Sequence, residues 1–519
     1  MTAADHVLAI DVGTQSVRAL LFGPDGTLAA KAKIPIEAYV SPHPGWAEQD
    51  PEVYWSAIGQ ACTALWTDPA ARRDAVAGVA LTTQRGTVVV VDRDGAPLRP
   101  AIVWLDQRRT HGLPQVGGIS GLAFRALGVR ETVAAFQADA EANWLRVNEP
   151  ETWARTAKFL LLSGFLAHRL VGRYVDADAA QVGYLPFDYR RRRWAGRSDW
   201  KWRVAPIEPA MLPDLVTSGS ELGTLTAAAA AHLGLPAGMP VIAAGADKAC
   251  EVLGSGCLAP NLGALSFGTT ATFNSTHRRY VEAVPLVPPY PAAVPDAWSL
   301  EIQVYRGFWL VEWFRREFGA AEEAAALARG IDPVDVLDDL LATTPPGAMG
   351  LVLQPTFSPG VRIPGPEAKG AAIGFGDVHG RAHLYRAVVE GLAYALREAK
   401  ERTERRTKVP ITALRVSGGG ARSDRVVQIT ADVFGLPVGR PHTFESSGLG
   451  AAIDAAVGLG IHPSFDAAVA AMTRLAEVRD PDATAQARYD ALYRRVYLPM
   501  YARLKPLYEE IRAITGYPE

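Results

Sequence analysis

One pattern occurs twice, and it limits the folds open to this chain more than any other feature. In "HVLAIDVGTQSVRALLF" (residues 6–22) an apolar run ends at Asp11-Val12, hinges on Gly13-Thr14 and returns as a second apolar run. In "LGALSFGTTATFNST" (residues 262–276) an apolar run hinges on Gly268-Thr269-Thr270 and returns in the same way. Short apolar runs on either side of a Gly-containing turn read as paired strands. A strand pair repeated in each half argues for two α/β units of similar topology. The 519 residues, 49% of them hydrophobic, suffice for two large cores. The expected units are residues 1–256 and 257–519, meeting near 255–262.

The intervening sequence supports an α/β reading. Asp25-Gly26 and Asp94-Gly95 are hairpin signals between apolar runs. "DPEVYWSAIGQACTALW" predicts a helix with Asp50 as cap and Pro51 at the first helical position. Helical patterns dominate from about 120 to 172, and a long helix is expected near 380 to 405. The Pro-rich "EAVPLVPPYPAAVPDAW" predicts a surface loop.

Composition excludes several function classes. The net charge of −2, with acids and bases nearly balanced, offers no nucleic-acid surface. The longest apolar stretch, "FLLLSGFLAHRLV", is too short to span a bilayer. The opening "MTAADHVLAIDVG" has no basic segment followed by a long apolar run, so no signal peptide is expected and the location expected is cytoplasmic. Cys62, Cys250 and Cys257 form neither a CxxC pair nor a metal set, and are expected to be buried thiols. "GSGCLA" (residues 254–259) fits GxGxxA but follows a helical segment, so it is not expected to bind a dinucleotide.

Three stretches carry chemistry. "DVGTQS" (residues 11–16) puts a carboxylate at a strand end, then a turn of small and hydroxyl residues. Such a turn can aim backbone N–H groups at phosphate oxygens while Asp11 holds a metal through water; an ordinary hairpin turn is the alternative. "VSGGGARSD" (residues 416–424) is a strand ending in three glycines before a helix, which lets backbone approach an anionic ligand closely. "VIAAGADKACEVLGSG" (residues 241–256) delivers Asp247 and Lys248 to the end of a strand. Asp247 there either faces a cleft or caps the helix that follows. One carboxylate that accepts a hydroxyl proton, with fixed amides and a metal for charge, is what phosphoryl transfer requires.

Together with "PGWAEQDPEVYW", "TTQRGTVVVVDRDGAPLRPAIVWLDQRR", "KGAAIGFGDVHGRAHLYRAVVEG" and "SGLGAAIDAAVGLG", these stretches resemble the FGGY carbohydrate kinases of the actin-like, hexokinase-type ATPase superfamily over nearly the whole chain. The resemblance implies two RNase H-like α/β domains flanking a deep cleft, with the sugar bound mainly by the first and ATP-Mg2+ mainly by the second. It makes Asp247 the general base, with Asp11 and Asp247 the carboxylates at Mg2+. Thr14, Gln15, Ser16 and Arg18 fall in the first phosphate turn, and Gly268, Thr269 and Thr270 in the second. Gly307, Glu312, Gly419, Gly420 and Asp424 fall at the nucleotide. Arg85, Gly86, Trp104, Asp106, Phe136 and Lys248 fall at the sugar.

Departures from the family bear on the substrate. Glycerol-using members carry Glu where Gly86 stands, and tend to carry Tyr where Phe136 stands. Gln or Asn is common where Lys248 stands, and xylulokinase-like members usually show Met-His in place of Gln84-Arg85. A ketose such as a pentulose, or a longer polyol, is therefore expected as the partner, with neither nucleic acid nor membrane, and a homodimer is left open. The alternative is a catalytically weak nucleotide-binding regulator or scaffold that kept the cleft.

Overall fold

The computed structural model describes residues 4–283, 287–358, 360 and 364–517. The first sheet is built from β1 (His6–Val12), β2 (Ser16–Phe22), β3 (Leu28–Pro35), β4 (Val76–Thr83), β5 (Glu221–Thr224) and β6 (Pro240–Ala243), in the order β5-β6-β4-β1-β2-β3. β1 runs antiparallel to β2 and parallel to β4. Its residues from Val7 to Val12 are all buried, as expected of a central strand covered on both faces. The Asp25-Gly26 turn joins β2 to β3, and α1 (Pro51–Leu65) starts at Asp50, whose carboxylate accepts from the Glu52 N–H at 2.9 Å.

The second sheet repeats this plan. β7 (Leu262–Phe267), β8 (Ala271–His277), β9 (Tyr290–Pro291), β10 (Trp298–Val304), β11 (Ala413–Ser417), β12 (Val438–Pro441) and β13 (Leu475–Arg479) lie in the order β9-β10-β8-β7-β11-β12-β13. β7 pairs antiparallel with β8 and parallel with β11, just as β1 pairs with β2 and β4. The two Gly-Thr turns therefore occupy the same place in two sheets of one topology.

Two stretches differ from their sequence reading. Within the helical region from 120 to 172, Lys158–Leu161 is a strand paired with Val88–Val91, because a fully buried apolar run has no periodicity to separate strand from helix. The Pro-rich stretch is not a surface loop where it is described, and residues 284–286 of it lie outside the described residues. Ala292, Ala293, Val294 and Ala297 are buried in the core shared with Cys250, Leu253 and Leu449. The Arg192 guanidinium holds them there. It donates to the Ala292, Val294 and Ala297 carbonyls at 3.2, 2.6 and 3.1 Å, and to both oxygens of Asp178 at 2.8 and 2.9 Å.

The second half of the chain also crosses back to the first sheet. After β6 comes α2 (Asp247–Gly254), and α3 (Ser446–Gly458) packs on both α2 and the first sheet. The approach is backbone to backbone. A Cβ on Gly450 would lie 1.9 Å from the Cys250 carbonyl oxygen, and one on Gly254 2.0 Å from that of Ser446. No helix among the described residues is long and apolar enough to cross a membrane. Elsewhere, Gly→Ala inside a helix stabilises by about 0.5–1 kcal/mol. Here Gly450→Ala is expected to destabilise by about 1–3 kcal/mol, the range for overpacked interiors, read as a fall in the urea midpoint at unchanged slope.

Candidate active site

The β1–β2 turn carries the first acidic group. Asp11 faces Arg18 in the strand register, and Arg18 Nη1 donates to Asp11 Oδ2 at 2.8 Å. Burial pushes the Asp11 carboxyl above its ordinary range, more than the Arg18 charge pulls it down. Asp11 Oδ1 has no hydrogen-bond partner among the described residues. The Gly13 N–H donates to the Ser16 carbonyl at 3.0 Å and closes the turn. Ser16 is buried and Gln15 exposed. Thr14 Oγ1 donates to Gln84 Oε1 at 2.7 Å and accepts from Trp104 Nε1 at 3.0 Å, which joins the phosphate turn to the proposed sugar side.

The sugar-side residues have divided roles. Arg85 forms a two-pronged pair with Glu301 of β10, at 3.1 Å through Nη1, and its guanidinium lies 4.9 Å from the Tyr290 ring centre. Arg85, Lys248, Tyr290 and Glu301 line one small cavity. Gly86 has φ +69°, and a Cβ there would lie 3.5 Å from Trp104 Cβ. The contact is an ordinary one, and it is the backbone conformation that favours glycine. Asp106 braces the fold. Its two oxygens accept from the Ala47 and Arg108 N–H groups and from the Arg108 guanidinium, at 2.6 to 2.8 Å. That guanidinium lies 4.0 Å from the Trp46 ring centre and 4.5 Å from that of Trp144, two rings that meet edge to face. Phe136 lies 6.1 Å from Tyr184, whose hydroxyl reaches Asp139 at 3.3 Å.

Asp247 is the first residue of α2, and Ala246 occupies the cap position without a side-chain bond. Asp247 Oδ1 accepts the Lys248 N–H at 2.8 Å, and Oδ2 has no partner among the described residues. Burial pushes its carboxyl up to about 6, against the pull of Lys248 and Arg85. Lys248 lines the cavity beside Arg85 and Glu301. Its Nζ donates to Glu251 at 2.6 Å and to Ser266 Oγ on β7 at 2.7 Å. Burial alone would lower its pKa, but the Glu251 and Asp247 carboxylates outweigh it and keep the ammonium charged.

The nucleotide-side glycines converge. The Phe308 N–H donates to the Gly268 carbonyl at 2.9 Å, the Trp309 N–H to that of Thr269 at 3.4 Å, and Thr270 Oγ1 to that of Tyr305 at 3.3 Å. A Cβ on Gly307 would lie 2.1 Å from the Ala271 nitrogen, and one on Gly420 2.3 Å from the Phe308 ring. Gly419 faces open space. Two expected residues stay apart from this convergence. Glu312 is exposed and pairs with Arg315. Asp424 is mostly exposed and pairs with Arg440 and Arg479 at 2.7 and 3.3 Å.

Sequence reasoning missed Glu251 and Glu301. Glu251 stands four residues after Asp247, on the same helix face, a spacing that could have flagged it. Glu301 has no local signal, because its partner lies on the other sheet.

Comparisons with known proteins agree with this geometry. Residues 6–254 match the N-terminal domain of the FGGY family of carbohydrate kinases, and residues 263–459 match its C-terminal domain. The chain belongs to this family. It is 28% identical to a xylulose kinase of Lactococcus lactis over 94% of this chain and 95% of that protein. It is 31% identical to a glycerol kinase of Aromatoleum aromaticum over 88% and 90%. The crystal structure of a xylulose kinase from Rhodospirillum rubrum superposes with TM-score 0.80 and 28% identity, covering 97% of this chain and all of that one. The fold is thus the two-domain actin-like ATPase fold, and the chain is a carbohydrate kinase, a phosphotransferase. At Gly86, Ala should cost about 1–2 kcal/mol from the left-handed backbone alone, measured by denaturant unfolding. Any change of substrate profile in Gly86→Glu is therefore read against Gly86→Ala.

Proposed function

We propose that this kinase transfers the γ-phosphoryl group of ATP to a hydroxyl of a small sugar, a ketose such as a pentulose, or of a polyol. The observation that carries the reading is the free Oδ2 of Asp247. It sits at a helix start, with the Arg85–Glu301 cavity nearby and the Asp11 carboxylate close enough to raise its pKa. Support for the substrate class comes from the family and from relatives named for xylulose and for glycerol.

Each part of the site has a task in that reaction. Asp247 accepts the proton of the attacking hydroxyl as the new P–O bond forms. Arg85, fixed by Glu301, orients the acceptor through its hydroxyls, and Trp104 closes one side of the pocket. The amides of the two Gly-Thr turns meet phosphate oxygens as fixed dipoles. The donor set fits magnesium. Asp11 offers a free, buried carboxylate oxygen, and no cluster of three or more acidic, His or Cys side chains among the described residues would hold a metal alone. Magnesium binds through one or two carboxylates together with substrate phosphates. Asp11 would hold it, with Asp247 facing it, and the ion would supply charge neutralisation to the phosphates.

Asp247→Asn keeps the shape of the side chain but cannot take the proton. It should slow phosphorylation of D-xylulose, or of whichever acceptor the wild type uses, by about 10²–10⁴-fold. ADP affinity and the unfolding midpoint should stay near wild type. Single-turnover kinetics with a confirmed acceptor check this, and near-normal phosphorylation by the Asn variant would remove Asp247 as the base.

A further inference from the structure

A group of buried side chains that the proposed reaction leaves unused converges on one carboxylate. Glu251 is 9% exposed and lies one helical turn beyond Asp247 on α2. Its Oε2 accepts from Lys248 Nζ at 2.6 Å, and its Oε1 accepts from Ser266 Oγ at 2.8 Å and from Ser417 Oγ at 2.6 Å. Ser266 Oγ in turn accepts from Lys248 Nζ at 2.7 Å. Ser266 stands on β7 just before the Gly268 turn, and Ser417 ends β11 immediately before the three glycines. A single carboxylate thus ties the helix that carries Asp247 to the ends of both strands that feed the nucleotide-side loops.

The same contacts fix a cation. An ammonium has three donors, and Glu251 and Ser266 take two of them. The third has no partner among the described residues. A lysine head is otherwise mobile on a long stem, and two bonds to a buried frame hold it in one place.

We propose that Lys248 is a catalytic cation of this kinase, meeting the transferring phosphoryl group with its third N–H, and that Glu251 is the positioning residue that holds it there. This rests on the reading of the chain as an ATP-dependent kinase. The transferring group carries its charge on three oxygens, and a cation fixed beforehand in a water-poor cleft stabilises that charge without reorganising. The ammonium ends on the strands that carry the nucleotide loops, beside the base, which is where the γ-phosphoryl must lie for Asp247 to serve the attacking hydroxyl.

Calorimetric binding of ADP and of the non-hydrolysable analogue AMPPNP, both with magnesium, tests this without any sugar. Lys248→Met should bind ADP within about twofold of wild type but AMPPNP about 10–100-fold more weakly, the usual worth of one charged hydrogen bond. Glu251→Gln should show the same selective loss to a smaller degree. The double variant should be no weaker than Lys248→Met alone, because the two residues act as a unit. Ser417→Ala keeps both charges, removes one hydroxyl, and should give a selective loss of a few-fold even if Glu251→Gln does not fold. Equal losses for ADP and AMPPNP, additive losses in the double variant, or unchanged AMPPNP binding in Lys248→Met would overturn the proposal. So would a raised acceptor KM at unchanged kcat, which would make Lys248 a sugar ligand. A wild type that binds neither nucleotide would instead sink the kinase reading itself.

Discussion

The contact between α2 and α3 leaves no room for a methyl group at Gly254 or Gly450, and the placement of the active site follows from it. α2 begins with Asp247, the proposed base, and belongs to the first half of the chain, whereas α3 comes from the second half and lies on the first sheet. Because the two backbones touch, the start of α2 has a fixed position relative to both sheets. Interiors this dense transmit displacement instead of absorbing it. A shift of α3 would move Asp247 relative to the Gly268 and Gly418 loops, so packing at a distance from the chemistry sets the line along which a hydroxyl and a phosphoryl group can meet.

The charges in the cleft are arranged against the same background. Asp11 pairs with Arg18, Arg85 with Glu301, and Lys248 with Glu251, so three buried or half-buried carboxylates each have a cation. Removing one partner of such a pair would leave the other unpaired in a poor solvent for ions. Asp247 has a neutral backbone N–H as its only direct partner among the described residues, and burial pushes its carboxyl up. This is the carboxylate to which the proposed reaction assigns the proton of the attacking hydroxyl.

The duplicated sheet, the strand ends that carry Asp11 and Asp247, and the glycine turns were legible because each depends on local signals: apolar runs, Asp-Gly turns and small residues at fixed offsets. The bracing role of Asp106 was not legible, since it depends on Arg108, whose guanidinium packs against both Trp46 and Trp144. The side chains of Glu312 and Asp424 turn to Arg315 and to Arg440 and Arg479, and nothing in the spacing reveals that turn. Glu301 was beyond reach because it meets Arg85 only once the two sheets face each other. The buried part of the Pro-rich stretch was hidden in the same way, since the Arg192 clamp that draws it inward sits far from it in the chain.

The Arg85–Glu301 pair also bears on specificity. Arg85 follows β4 of the first sheet and Glu301 lies on β10 of the second, so the group proposed to orient the acceptor is itself oriented from the other half of the chain. If this cavity takes the sugar, as proposed, the pocket is assembled from both halves and is complete only when they are together. Binding energy from the acceptor's hydroxyls, spent on that juxtaposition, raises the rate of transfer to the sugar without helping transfer to water. An acceptor too short to reach both Arg85 and the base cannot contribute that energy. On the proposed reading, discrimination among sugars lies in how many hydroxyls span the distance from the Arg85–Glu301 pair to Asp247, more than in the fit of any one of them.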